Sequence, residues 1–190
     1  TMIYPIVAYG DLVLRRPTEE IGPDYPGLEK LVADMFETME HADGCGLAAP
    51  QIGLSIRLIV VDATPFGKED PKAATFRKAL LNPEIYEEEG EVWYFNEGCL
   101  SFPGVHEDVP RSSVIHVRYM DPDGTEHDEV FDGYVARVVQ HECDHLNGKV
   151  FVDRLSSMRK MMLKRKLESI SKGDVRVDYK MKFPVKPKHR

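Results

Sequence analysis

Apolar residues recur at helical spacing through 27–41, where Leu28, Leu31, Val32, Met35, Phe36 and Met39 share one face. That stretch predicts an amphipathic helix with a buried stripe. Pro26-Gly27 punctuates its start, and Asp43-Gly44 lies just past its end. Residues 44–53 are rich in glycine and alanine, and 56–62 is a β-branched apolar run that predicts a buried strand. Residues 64–74 are polar with two prolines and predict a surface loop, long for the connection it makes. Further strands are predicted over 79–87, 91–95 and 114–119. Asp121-Pro122-Asp123-Gly124 predicts a tight turn joining 114–119 to 125–131 as an antiparallel hairpin, since proline presets φ and glycine accepts a positive φ. Asp132 suits the N-cap of a helix over 133–146, which Asn147-Gly148 ends. Ser156 or Ser157 caps a last helix, about 156–172, with Met158, Met161, Met162, Leu167 and Ile170 on one side and Gly173 closing it. Mixed and antiparallel strands around a central helix, with helices towards both ends, predict an α+β domain over 1–173. A basic tail over 174–190 follows.

The chain has 190 residues, 42% of them hydrophobic, enough for the core of one domain. No apolar run approaches the ~20 residues of a membrane helix, and no secretory leader pattern opens the sequence. A cytoplasmic location is expected. The cysteines are Cys45, Cys99 and Cys143, an odd number that argues against a disulfide framework. Cysteines in such a chain are more often small core residues than ligands. The net charge of −7 is uneven, because residues 158–190 hold twelve Lys/Arg and three Asp/Glu. An acidic body with a basic end suits either a tail that meets an anionic surface or a solvated helix face.

Within the central helix, Gln140-His141-Glu142-Cys143-Asp144-His145-Leu146-Asn147-Gly148 contains H-E-x-x-H. Positions four apart share a helix face, so His141 and His145 can present two imidazoles to one metal ion. Glu142 then lands beside the ion, where a general base belongs. Tyr134 and Val138, one and two turns earlier on that face, are candidates for an apolar wall. Cys143 is off the ligand face and is expected to pack. The third ligand is open. A three-histidine scheme requires a ligand at position 151, which is Phe151, and fails. A downstream carboxylate, Glu168, remains, as does Cys99 in Glu97-Gly98-Cys99-Leu100-Ser101, whose thiolate would complete a Cys-His-His site.

Three segments in this order resemble the signature motifs of the peptide deformylase family: Gly44-Cys45-Gly46-Leu47-Ala48-Ala49-Pro50-Gln51, Glu97-Gly98-Cys99-Leu100-Ser101 and Gln140–Gly148. The likeness runs from Pro5-Ile6-Val7-Ala8-Tyr9-Gly10 to the last helix. It implies a bacterial-type hydrolase that removes the formyl group from the N-terminal formyl-methionine of nascent peptides. Cys99, His141 and His145 would be the metal ligands and Glu142 the acid/base. Gln51 and the backbone N–H of Leu100 would hold the carbonyl oxygen where charge develops. Gly44, Cys45, Gly46, Phe95, Glu97, Gly98, Tyr134 and Val138 are the expected substrate-binding residues, with Arg137 at the edge. Asp144 and Arg111 would orient ligands or Glu97, or else be plain surface charges. The resemblance implies Fe2+, with Zn2+, Ni2+ or Co2+ able to replace it, and a last helix that brings the enzyme to the ribosome near the exit tunnel. Two other readings stand beside this one: a zinc peptidase using Glu168, and a non-catalytic module with a structural metal and an RNA-docking tail.

Overall fold

The computed structural model describes residues 2–184, so residues 185–190 of the expected basic tail lie outside it. In chain order the elements are β1 (Ile6–Val7), α1 (Leu28–His41), β2 (Gly46–Ala48), β3 (Leu58–Asp62) and β4 (Arg77–Gly98). They continue with β5 (His106–Met120), β6 (Glu126–Asp132), α2 (Gly133–Leu146), α3 (Ser157–Ser171) and β7 (Met181–Lys182). Strands β2-β3-β4-β5-β6 form one antiparallel sheet in that order, and β1 pairs with β7 in parallel. The architecture is α+β, as the hydrophobic pattern predicts.

Strand β3 explains the layering. Successive side chains of a strand point to opposite faces. Leu58 and Val60 join Leu28, Leu31, Met35 and Met39 of α1, together with Ala79 and Leu81. Ile59 and Val61 join Val135, Val139, Cys143 and Leu146 of α2, together with Leu80, Ile115 and Val117. The sheet is thus packed on both faces here, which is why residues 56–62 read as a continuous apolar run. Cys143 is buried in this core, as expected of a packing residue.

Several local expectations are corrected. The strands expected at 79–87 and 91–95 are one long strand, β4, whose register against β5 shifts between Leu81 and Glu84, Ile85 and Glu87, and Glu89 and Val92. These irregularities break the alternation that sequence patterning relies on. Asp132 occupies the N-cap of α2, but its side chain makes no capping bond. It pairs with Lys72 at 2.9 Å, while Asp70 Oδ2 accepts from the Tyr134 N–H at 3.2 Å. The capping oxygen therefore comes from the 64–74 segment. That segment is not a plain surface loop: it forms two short 3-10 turns and buries Ala73.

The face assignment of α3 is also corrected. Ser156 caps the helix, its hydroxyl accepting from the Arg159 N–H. The buried stripe is Leu163, Leu167 and Ile170, packed on Phe102 and Phe151. Met158, Met161 and Met162 are 70%, 74% and 65% exposed and lie on the outer side. The spacing 163, 167, 170 is itself helical, and it excludes the methionines from the face that Leu167 and Ile170 occupy.

Candidate metal centre

Helix α2 runs under the sheet and carries His141, Glu142 and His145, all buried. The Cys99–Leu100–Ser101 turn, just past β4, approaches from the other side. The ligand atoms of Cys99, His141 and His145 lie within 4.8 Å of one another, and Cys99 Sγ is 3.3 Å from His145 Nε2. Among the described residues the only other such cluster is Glu87, Glu89 and His116, on the open sheet surface. Glu168 is on α3 and lines a different cavity with Lys160 and Lys164. The three-donor group contains Cys99 in place of that carboxylate.

A dense charge network orients the donors. His141 Nδ1 is 2.8 Å from Glu97 Oε1, which turns Nε2 towards the cysteine. Glu97 accepts from Arg111 Nε at 2.7 Å, Arg111 Nη2 at 2.9 Å and Arg137 Nη1 at 2.7 Å. Arg111 also reaches Asp144 Oδ2 at 2.8 Å, and Arg154 holds Asp144 through both oxygens. Burial alone would push the Glu97 carboxyl up, but hydrogen bonds from His141 and Arg111 outweigh it and hold it well below the usual range. Asp144 is likewise lowered: Arg154 and Arg111 overcome its burial. Both acids are therefore ionised, and the buried arginines have counter-charges.

Two groups are tuned in the opposite sense. Burial, with the nearby charges of Glu97 and Asp144, pushes Glu142 up to about 7. Burial, with His141 beside it, pulls His145 down to about 3. Glu142 Oε1 is buried and has no hydrogen-bond partner among the described residues. An orphaned carboxylate oxygen beside one thiol and two imidazoles fits a site completed by a metal ion and its reactants. The donor set suits a borderline divalent cation such as zinc or ferrous iron.

The glycines are steric necessities. A Cβ on Gly46 would come within 2.8 Å of Glu142 Cγ and Cδ, so this strand backbone lies directly on the Glu142 side chain. A Cβ on Gly44 would lie 2.9 Å from Leu100 Cδ1, and one on Gly98 2.7 Å from the His106 ring. Gln51 accepts from the Ala48 N–H at 3.0 Å through Oε1. Its Nε2 then points at Ser101 Oγ, 3.1 Å away, and Cys99 Sγ, 3.5 Å away. Leu100 sits beside the cysteine, its carbonyl accepting from the Tyr179 hydroxyl at 2.6 Å.

A cavity of about 550 Å³ opens onto these groups, and Gly44, Cys45, Gly46, Phe95, Gly98, Leu100 and Val138 line it. Tyr134, an expected wall residue, does not line the cavity. It stacks on Phe66 at 4.7 Å and meets Phe95 edge-on at 5.6 Å, so it buttresses the wall from behind. Phe66 does line the cavity, although its loop carried no such signal in the sequence. Arg137, expected at the edge, does line the cavity, and its guanidinium is held inside, donating to Glu97 and the carbonyls of Val109 and Trp93. Arg176 to Tyr179 also line the cavity and were not anticipated.

The family model described as Polypeptide deformylase matches residues 3–161. The chain is 53% identical over 185 residues to a peptide deformylase of Cytophaga hutchinsonii, covering 97% of this chain and 100% of that one. It is 47% identical over 196 residues to a peptide deformylase of Flavobacterium johnsoniae, with both chains fully covered. The fold superposes on the peptide deformylase of Thermus thermophilus with a TM-score of 0.78 and 42% identity, over 89% of this chain and 98% of that one.

Proposed function

The chain belongs to the polypeptide deformylase family, enzymes that remove N-formyl groups from N-formylmethionyl peptides, and we propose that it does so by metal-dependent hydrolysis at Cys99, His141 and His145. The observation that carries this reading is the convergence of those three donors beside a buried Glu142 whose Oε1 is otherwise without a partner. Cys99, His141 and His145 would hold a divalent ion, which would supply Lewis acidity towards the formyl oxygen and acidify the water beside it. Glu142 takes the proton of the water as it adds to the formyl carbon and returns it to the amine as the C–N bond breaks. The Gln51 amide and the Leu100 N–H hold the formyl oxygen as negative charge develops on it. Glu97 fixes the ring of His141.

The peptide is held by backbone and by a pocket. Strand β2 is an edge of the sheet, so an extended substrate can pair with its outer side next to Gly44 and Gly46, where no side chain intervenes. The methionine side chain enters between Cys45, Phe95 and Val138, and Gly98 keeps the opposite wall low. Fe2+ is the physiological ion in this reading, with Zn2+, Ni2+ or Co2+ replacing it. A thiolate ligand makes the iron form vulnerable to oxidation.

No helix among the described residues is long and apolar enough to cross a membrane. We assign the enzyme to the cytoplasm and its outer α3 face to the ribosome near the exit tunnel. That face joins Met158, Met161 and Met162 to exposed Arg159, Lys160, Lys164 and Arg165. Electrostatic docking of this kind weakens with salt. Ribosome co-sedimentation that survives Lys164→Glu with Arg165→Glu contradicts that part. The main reading is tested by formate release from formyl-Met-Ala-Ser by iron-loaded protein. It predicts release that chelation stops and that acetyl-Met-Ala-Ser does not support; no formate overturns it.

A further inference from the structure

After α3 the chain turns back over the domain. Residues 176–179 line the site cavity, and β7 then pairs with β1. The Tyr179 hydroxyl, bonded to the Leu100 carbonyl, pins this strap one residue from Cys99. Arg176, Val177, Asp178 and Tyr179 line the same cavity as Cys99, His141 and Glu142. Exposure alternates along the strap: Val177 and Tyr179 are half-buried, while Arg176 and Asp178 are exposed. That is the period of an extended segment with one side against the protein. The strap lies beyond the residues 3–161 that the family model covers.

Its position matters to an extended substrate. On the deformylase reading, on which this inference rests, the formyl group meets Glu142 at the cavity floor and the methionine side chain fills its pocket. The rest of the peptide leaves through the open side, past the wall that the strap supplies. We propose that Arg176 and Val177 form a subsite for the peptide residues that follow formyl-methionine. Val177 gives the wall an apolar surface for a downstream side chain. The exposed Arg176 guanidinium donates to a downstream carbonyl or carboxylate.

Steady-state kinetics of the metal-loaded protein on two substrates, formyl-methionine amide and formyl-Met-Ala-Ser-Glu, test the subsite. Arg176→Ala raises KM for the longer peptide about tenfold, the loss expected of one charge-assisted hydrogen bond. KM for formyl-methionine amide shifts far less, and kcat is kept for both. Arg176→Lys recovers part of the loss, and Val177→Ser raises KM for the longer peptide in the same selective way. Equal changes on both substrates, or none on the longer one, overturn the subsite while leaving the deformylase reading intact. Wild-type protein that releases formate from neither substrate overturns both.

Discussion

Gly46→Ala is the most revealing single substitution. The added methyl would lie 2.8 Å from Glu142 Cγ and Cδ, against an ordinary contact distance above 3.4 Å. One side must therefore give by about half an ångström or more. Strand β2 is held by pairing with β3, Gly46 opposite Val61, so the backbone cannot easily retreat. The carboxylate moves instead, away from its place beside Cys99, His141 and His145. Overpacking of this size costs about 1–3 kcal/mol, and displacing a reacting group by ~1 Å costs about 100-fold in rate. The expected result is kcat lower by about 10–100-fold with metal content unchanged, because the substitution touches none of Cys99, His141 and His145. Gly53→Ala is the control. Gly53, unlike Gly46, has a positive φ, 88°, but a Cβ there meets nothing within 4 Å. It should lower Tm and leave kcat alone. Metal analysis, Tm and formate release on both variants separate the two effects. Wild-type kcat in Gly46→Ala would falsify the placement of Glu142 as the acid/base against β2.

Other outcomes follow from the packing and the charge network. Arg111→Ala removes two hydrogen bonds from Glu97 and one from Asp144, leaving Arg137 and His141 on the first and Arg154 on the second, and should cost about 1.5–3 kcal/mol in denaturant unfolding; a loss below about 1 kcal/mol contradicts the network. Both acids have lowered pKa values in the folded chain. Their contribution to stability is therefore complete above the ordinary carboxylate value near ~4 and disappears as pH falls through the lowered values. Tm measured from pH 6 downwards should begin to fall steeply below about pH 4, and flat stability there argues against charged acids at these positions. On α3, Leu163→Ala should cost about 2–5 kcal/mol, whereas Met161→Gln should stay within about 0.5 kcal/mol. The reverse order refutes the observed face.

The parts of the fold that local chemistry dictates were legible in the sequence. Helix α2 ends at Asn147-Gly148, α1 shows its stripe, and the Asp121–Gly124 turn with its flanking alternation announces the β5–β6 hairpin. The parts that depend on distant partners were not. Strands β1 and β7 are two residues each, too short to carry a period, and exist because the strap returns to the N-terminal segment. The α3 methionines were misassigned because apolar side chains occupied two sides of one helix and only packing selects between them. At the site, the spacing of His141 and His145 pointed to a metal, but nothing local selected Cys99, which lies 46 residues before His145. Its place rested on resemblance until the turn after β4 was seen beside α2. The steric reason for Gly46 and the buttressing role of Tyr134 arise from tertiary contact and leave no trace in spacing.

The central claim is that Cys99, His141 and His145 hold the ion and Glu142 acts beside it without holding it. Metal content per chain, measured on anaerobically purified wild-type, Cys99→Ala and Glu142→Gln proteins alongside formate release, tests it most directly. One ion is expected in the wild type and in Glu142→Gln, loss of the ion in Cys99→Ala, and turnover in the wild type alone. An ion retained by Cys99→Ala at full occupancy, or turnover retained by Glu142→Gln, contradicts it.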